Sequence, residues 1–196
     1  GYDVHGVDVS ETMLEMAELR RNNSSIEVRD KLNFEHGDIR TLNLDLQYDV
    51  VISLFHVMSY QVTNDDLVAA FLSAKRHLKP GGVFLFDCWY GPGVFNEKPE
   101  TRIKRLNGEE YSVLRLAEPE LHPNKNVVDV NYQIIINDKK SGEIEEIHEQ
   151  HRMRYLFMPE VDFLLRNANL TFIECGEWLT GEVPGPDSWA VYFVAK

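Results

Sequence analysis

The sequence predicts an α/β fold in which a largely parallel sheet is interrupted by an inserted antiparallel β-sheet. Three observations lead there. Short apolar strands alternate with helices over residues 1–95, the pattern of parallel strands joined by right-handed crossovers. Val50-Val51-Ile52 is a near-continuous apolar run, which suits a parallel strand covered on both faces. From Val128 to Ile136 the polarity mostly alternates at period two, as in an antiparallel strand.

In chain order, Val4 to Val9 is a strand ending at Asp8, and Ser10 offers an N-cap oxygen to a helix over residues 11–22. Leu14, Ala17 and Arg21 lie along one side of that helix, Met13 and Met16 widen its apolar face, and Asn22-Asn23-Ser24-Ser25 ends it. Leu32 to Glu35 is a second strand, closed by His36-Gly37-Asp38, and Tyr48 to Leu54 is a third. Thr63 or Asn64 caps a helix in which Leu67, Phe71, Ala74 and Leu78 recur at helical spacing. Lys79-Pro80-Gly81-Gly82 stops it, because proline cannot continue a helix and glycine tolerates the left-handed exit. Val83 to Phe86 is the next strand, with Asp87-Cys88-Trp89-Tyr90 beyond its C-terminal end.

The pattern then changes. Tyr111 to Leu116, Val128 to Ile136 and Ile144 to Leu156 read as antiparallel strands, with a turn at Asp138-Lys139-Lys140-Ser141-Gly142. Pro159 opens a helix carrying Val161, Leu164, Leu165 and Ala168. Leu170 to Trp178 and Trp189 to Ala195 are strands joined by a short Gly- and Pro-containing loop, which predicts antiparallel neighbours. Three regions result: an α/β core over 1–95, an antiparallel insertion over 96–158, and a helix and strand pair over 159–196 that complete the core.

Composition narrows the function classes. A net charge of -12 with scattered basic residues is the wrong footprint for nucleic acid. No apolar run reaches the ~18 residues a membrane-spanning helix needs, and Gly1-Tyr2-Asp3-Val4 has no signal-peptide character. Cys88 and Cys175 are too few and too far apart for a disulfide framework or a cysteine-based zinc site, so a reducing cytoplasm is expected. His148 and His151 do not share a strand face, which argues against a metal pair. A small molecule is the expected partner.

Open α/β sheets place ligands at the C-terminal ends of their strands. Four segments therefore matter: Asp8-Val9, Gly37-Asp38-Ile39, Leu54 to Tyr60, and Asp87 to Tyr90. Asp8 suits a ribose, whose two hydroxyls a carboxylate accepts at once; it equally suits the N-terminus of the helix after it. Asp38 suits an adenine amine, or is a simple turn aspartate. Tyr60 is the first candidate to orient an acceptor, with packing as the alternative. His56 is a candidate base for an oxygen acceptor, or a hydrogen-bonded structural histidine. Trp89 and Tyr90 suit the wall of a pocket or the core. Arg152, on the face opposite His151, suits a phosphate or carboxylate, or is a solvated strand residue.

The ordered set of Asp8, Gly37-Asp38, an apolar strand, and Lys79-Pro80-Gly81-Gly82 before another strand resembles the class I S-adenosylmethionine-dependent methyltransferases. The resemblance implies a Rossmann-like methyltransferase sheet. It implies that Asp8 holds the ribose, that Val9 and Met13 line the adenosine site, and that Asp38 with Ile39 binds the adenine. Leu54 and Phe55 would face the sulfonium methyl. Gly37-Asp38-Ile39-Arg40, Phe55-His56-Val57-Met58-Ser59-Tyr60, Trp89 and His151 to Phe157 are similar to amino-sugar N,N-dimethyltransferases. That likeness implies methyl transfer to an amine nitrogen, a substrate role for Trp89, Tyr90, His151 and Arg152, and a homodimer built around the insertion. The family's first strand and its Gly-x-Gly turn do not precede Tyr2, so the resemblance implies an incomplete sheet, a C-terminal portion, and weak or no cofactor binding by this chain alone. Two alternatives stay open at this stage: a nicotinamide-dependent oxidoreductase, which also ends its second strand in an acidic residue, and a non-catalytic association module.

Overall fold

The computed structural model describes residues 1–196. Strand β1 (Val4–Asp8) leads into helix α1 (Glu11–Asn22), a short helix α2 (Ile26–Arg29) and strand β2 (Leu32–His36). β1 and β2 pair in parallel, from Val4 opposite Leu32 to Asp8 opposite His36. Ser10 caps α1 as expected, its Oγ accepting the Met13 N–H at 3.3 Å. The apolar face assigned to α1 is shallow, however: Met13 and Met16 are about half exposed and the helix buries no residue fully.

Strand β3 (Tyr48–Ser53), helix α3 (Asn64–Arg76) and strand β4 (Leu78–Tyr90) form the next crossover. β3 runs parallel to β4, and Thr63 Oγ1 caps α3 by accepting the Asp66 N–H at 3.0 Å. The expectation that β3 is covered on both faces does not hold. Val51 packs on the core, but Val50 and Ile52 are 49% and 58% exposed, because no helix covers the other face of this strand. β1–β2 is a separate two-stranded sheet, and no backbone ladder joins β1 to β3. Their link is a side-chain hydrogen bond, Tyr48 Oη to His5 Nδ1 at 3.0 Å.

Helix α4 (Gly91–Glu97) precedes the antiparallel strands β5 (Arg102–Asn107), β6 (Tyr111–His122), β7 (Val127–Asp138) and β8 (Ile144–Leu156). Helix α5 (Met158–Asn167), strand β9 (Phe172–Glu177) and strand β10 (Ala190–Ala195) follow, with β9 and β10 antiparallel as the short connection predicts. The sheet order is β5-β6-β7-β8-β4-β10-β9, with β3 beside β4.

β4 is longer than its apolar run suggests. The sequence reading ends it at Phe86, yet it continues to Tyr90, so Asp87 to Tyr90 lie within the strand. The reason is a change of neighbour. β3 leaves the ladder after Ser53 opposite Phe86, and β8 takes up pairing at Trp89–Tyr155 and Tyr90–Leu156. β10 supports the opposite side of β4 throughout, from Phe84 to Trp89. The antiparallel strands are therefore hydrogen-bonded into the core sheet.

Two clusters hold the molecule together. In the larger, Phe86 is fully buried and stacks on Phe84 and Phe193 at centroid distances of 4.9 and 5.2 Å, with Phe71 edge-on at 5.2 Å. Leu67, Leu156, Val161 and Leu165 close it from α3, β8 and α5. The smaller gathers Val94, Val128, Val130, Met153 and Tyr155 where α4 meets β7 and β8. Arg154 joins these parts. Its buried guanidinium donates to Val62 O at 3.3 Å, to Asn64 Oδ1 at 2.7 Å and to the Glu160 carboxylate, so one side chain ties β8 to the start of α3 and to α5.

Candidate active site

The C-terminal ends of β1 and β2 bring Asp8 and Asp38 to one edge, as the sequence predicts. Asp8 sits opposite His36 in the ladder, and the Gly37 N–H donates to Asp8 O at 3.0 Å. Gly37 is needed for this approach: a Cβ there would lie 2.9 Å from Val7 Cγ1 and 3.0 Å from Leu42 Cδ1. Asp8 Oδ1 accepts the Ser10 N–H at 2.8 Å, and its Oδ2 has no partner within the chain. Val9 and Met13 stand exposed beside it, while Ile39 is half-buried against the core. A free carboxylate oxygen beside exposed apolar side chains fits the diol and the ring of a nucleoside, so these residues are compatible with S-adenosylmethionine.

Asp38 is held by Arg40, a partner the sequence reading did not assign. Arg40 Nε lies 3.0 Å from both carboxylate oxygens and its Nη2 lies 2.5 Å from Oδ2, while Nη1 reaches Asp66 Oδ1 at 2.9 Å. The guanidinium is thus a clip from the β2 edge to the first turn of α3, and its hydrogen bonds hold the Asp38 carboxyl below its ordinary value of 3.8. The sign follows from linkage. A lowered folded-state value gives stability above the unfolded value that is lost as acid protonates Asp38. Arg40→Leu is therefore expected to flatten the acid side of a urea-midpoint-against-pH curve below about pH 4, while a curve unchanged from wild type shows that the clip is not formed in solution.

The loop after β3 carries the other candidates. Leu54 is half-buried and Phe55 is 81% exposed at the strand end. Phe55 and His56 both take left-handed backbone, with φ of 63° and 64°, a conformation that is costly for residues bearing a Cβ. A 3-10 turn, Val57–Tyr60, follows. Ser59 is fully buried and its Oγ accepts the Trp89 N–H at 2.9 Å, which pins the turn to β4. His56 is pinned too. Its N–H donates to the Asp87 carboxylate at 3.0 and 3.2 Å, and its Nδ1 lies 2.8 Å from Asp87 Oδ2.

Tyr60 and His151 meet although they are far apart in sequence: Tyr60 Oη lies 2.7 Å from His151 Nδ1. His151 Nε2 lies 3.2 Å from Glu149 Oε2. A carboxylate only accepts, so Nε2 carries the proton, and in the neutral ring Nδ1 accepts from the Tyr60 hydroxyl. Burial, then neighbouring Tyr132 and Glu149, keep the Tyr60 phenol above its ordinary value and hence protonated. The lone pairs of Tyr60 Oη remain free to accept a further hydrogen bond.

The remaining candidates divide. Trp89 stands edge-on to His56 and to Trp189, at 6.4 and 5.5 Å between centroids, so it borders the loop while packing on the core. Tyr90 is half-buried against the larger cluster. Arg152 faces away from His151 as expected, but its Nε is engaged by Asp129 Oδ1 at 2.8 Å. Sequence reasoning missed Asp87, Arg40 and Glu149 as partners. Of the three, only Asp87 left a signal, an aspartate within a strand otherwise built of large apolar side chains.

Known proteins agree with this architecture. Residues 1–82 match the family model described as a methyltransferase domain. The chain is 26% identical over 147 residues to the dTDP-3-amino-3,4,6-trideoxy-alpha-D-glucopyranose N,N-dimethyltransferase of Streptomyces venezuelae, covering 74% of this chain and 58% of that protein. It is 30% identical over 131 residues to the dTDP-4-amino-2,3,4,6-tetradeoxy-D-glucose N,N-dimethyltransferase of Saccharopolyspora spinosa, covering 67% of this chain and 49% of that one. The chain thus spans about half the length of these two relatives. The crystal structure of an S-adenosylmethionine-dependent methyltransferase from Clostridium acetobutylicum ATCC 824 superposes with a TM-score of 0.83 at 20% identity, over 98% of this chain and 74% of that one. Residues 1–82 are thus similar to a methyltransferase domain, and the chain as a whole shares the Rossmann-like α/β fold of that S-adenosylmethionine-dependent methyltransferase structure.

Proposed function

We propose that the protein transfers a methyl group from S-adenosylmethionine to an amine nitrogen of a small molecule, an amino sugar being the first class to test. The observation that carries this reading is the placement of Asp8 at the end of β1 and of Asp38 just beyond its parallel neighbour β2, within residues that match a methyltransferase-domain family model. The match and the names of both curated relatives favour the methyl donor over the nicotinamide alternative. In this reading Asp8 takes the ribose, Val9, Met13 and Ile39 flank the adenine, Asp38 accepts from its amine, and Leu54 and Phe55 border the methionine end. The donor supplies an activated methyl on a sulfonium, so the chain's own task is placement and exclusion of water.

Tyr60 is placed for the acceptor. Its proton is committed to His151, which leaves its oxygen as an acceptor for an amine N–H. Trp89 and Tyr90 border the acceptor side, while Arg152, on the strand face opposite His151 and braced by Asp129, lies outside it. We also propose a homodimer, supported by the unpaired outer edge of β5 and by Ile103 and Leu106, each about half exposed on it. No helix is long and apolar enough to cross a membrane, and a cytoplasmic setting without nucleic-acid partners is part of the same proposal.

The test is transfer of labelled methyl from S-adenosylmethionine to the dTDP-3-amino sugar named for the Streptomyces venezuelae relative, and to simple amines and alcohols. It uses the polypeptide as the cell makes it. Transfer to nitrogen is expected; transfer confined to alcohols overturns the nitrogen assignment, and no donor binding overturns the reading. Tyr60→Phe is expected to lower kcat/KM by about 10- to 100-fold, the loss of one hydrogen bond to a charged or nearly charged amine, with the melting temperature little changed.

A further inference from the structure

Arg152 and Arg154 alternate with His151 along β8, so they face away from the acceptor side. There they border a second cleft, of about 570 Å3, between the end of β8, the start of α3 and the 3-10 turn Pro123–Lys125 that joins β6 to β7. Asn64, Asn124, Lys125 and Asn126 supply most of its remaining polar lining, and two valines are the only apolar residues in it. The turn is held in place. Asn126 takes left-handed backbone, with φ of 55°, and its carbonyl accepts the Tyr155 N–H at 2.9 Å. Lys125 is thereby carried on a turn fixed to β8 rather than on a free loop.

The cleft has donors to spare. Arg154 is 8% exposed and spends its terminal nitrogens on Val62 O, Asn64 Oδ1 and the Glu160 carboxylate, while its Nε is buried without an acceptor. Arg152 engages Asp129 Oδ1 through Nε at 2.8 Å, which leaves the outer edge of its guanidinium open. Asn64 gives its oxygen to Arg154 and keeps its NH2 free. Lys125 makes no ion pair and no side-chain hydrogen bond within the chain. The two carboxylates that touch these cations, Asp129 and Glu160, are each committed to one arginine, so the Lys125 charge stands uncompensated in a chain whose net charge is -12. A local surplus of cations and N–H donors selects an oxyanion, and a guanidinium edge beside an ammonium suits the several oxygens of a phosphate. We infer that this cleft binds a phosphate group, separately from the proposed donor and acceptor sites, as the free ion or as the ester of a small hydroxylated molecule. The cleft is roomier than one phosphate requires, and the amides of Asn64, Asn124 and Asn126 match the hydroxyls of such an ester. The inference does not depend on the methyl-transfer reading.

Calorimetric titration of the polypeptide as the cell makes it, at constant ionic strength, tests this with inorganic phosphate, glucose 6-phosphate and glucose. Saturable binding of one molecule per chain is expected for both phosphates and none for glucose. Tighter binding of glucose 6-phosphate assigns the cleft to an ester; equal binding assigns it to the ion. Lys125→Ala removes a side chain that supports nothing in the fold and is expected to weaken binding about 10-fold or more, the loss of a charged hydrogen bond. Arg152→Ala is expected to do the same, with Asp129 keeping His122 Nε2 at 3.1 Å as a partner; if it does not fold, Lys125→Ala decides alone. Lys140→Ala, in the turn at the far end of β7, is expected to leave binding unchanged. In two-dimensional 15N–1H spectra, phosphate is expected to shift the backbone signals of Lys125 and Asn126 and to leave those of Tyr60 and His151 in place. No binding of either phosphate, binding that Lys125→Ala leaves intact, an equal loss from Lys140→Ala, or shifts centred on Tyr60 and His151 overturns the inference.

Discussion

Phe86→Ala is expected to lower the free energy of unfolding by about 3–5 kcal/mol, the usual cost of truncating a buried aromatic ring. The ring has no exposed surface and touches rings on both sides and at its edge, from Phe84, Phe193 and Phe71. These neighbours belong to β4, β10 and α3, each held by its own hydrogen bonds, so the site cannot collapse to fill the void. Against a total stability of roughly 5–15 kcal/mol for a domain, such a loss is severe. Urea titration should show a lower midpoint at an unchanged slope. Phe86→Leu, which keeps most of the volume, is expected to cost under about 1.5 kcal/mol; equal losses for the two variants show that the ring stack is not the support described here.

Arg154→Ala is the second large effect, expected at about 3 kcal/mol. The guanidinium side chain is 8% exposed and Glu160 is 22% exposed. Truncation leaves the Glu160 carboxylate, Asn64 Oδ1 and Val62 O without their shared donor. The penalty is that of stranding acceptors rather than of losing one attraction. Arg154→Met, which restores packing without charge, is expected to recover little, because the acceptors stay unpaired. A double variant that also replaces Glu160 by Gln should lose less than the two single losses added together. Strict additivity by denaturant titration shows that the pair does not form.

The contrast between these residues and Asp8 marks what the sequence discloses. Asp8, Ser10, Gly37, Asp38 and Thr63 are legible because their roles depend on neighbours within a few residues: a cap, a turn, a strand end. The β9–β10 pairing is legible for the same reason, through its short connection. Asp87 and His56 are 31 residues apart, and Tyr60 and His151 are 91 apart. Nothing in either segment announces the other, so sequence reading named three of these four as separate candidates without joining them. The end of β4 is not legible either, because its last residues are strand by virtue of β8, whose Tyr155 lies 66 positions beyond Trp89. The exposure of β3 is not legible in its sequence, because an apolar run reports what a strand tolerates, not what happens to lie over it.

The exchange of partners along β4 has a mechanical consequence. A cap that swings over a reaction centre needs a hinge, and here the wall formed by the inserted strands is welded through peptide hydrogen bonds to β4, the strand beside β3. Opening that wall means tearing a ladder rather than bending a linker. A cleft with one rigid flank admits its guests by width and outline, so under the proposed activity selectivity would lie in fixed dimensions, with movement left to the side away from β8.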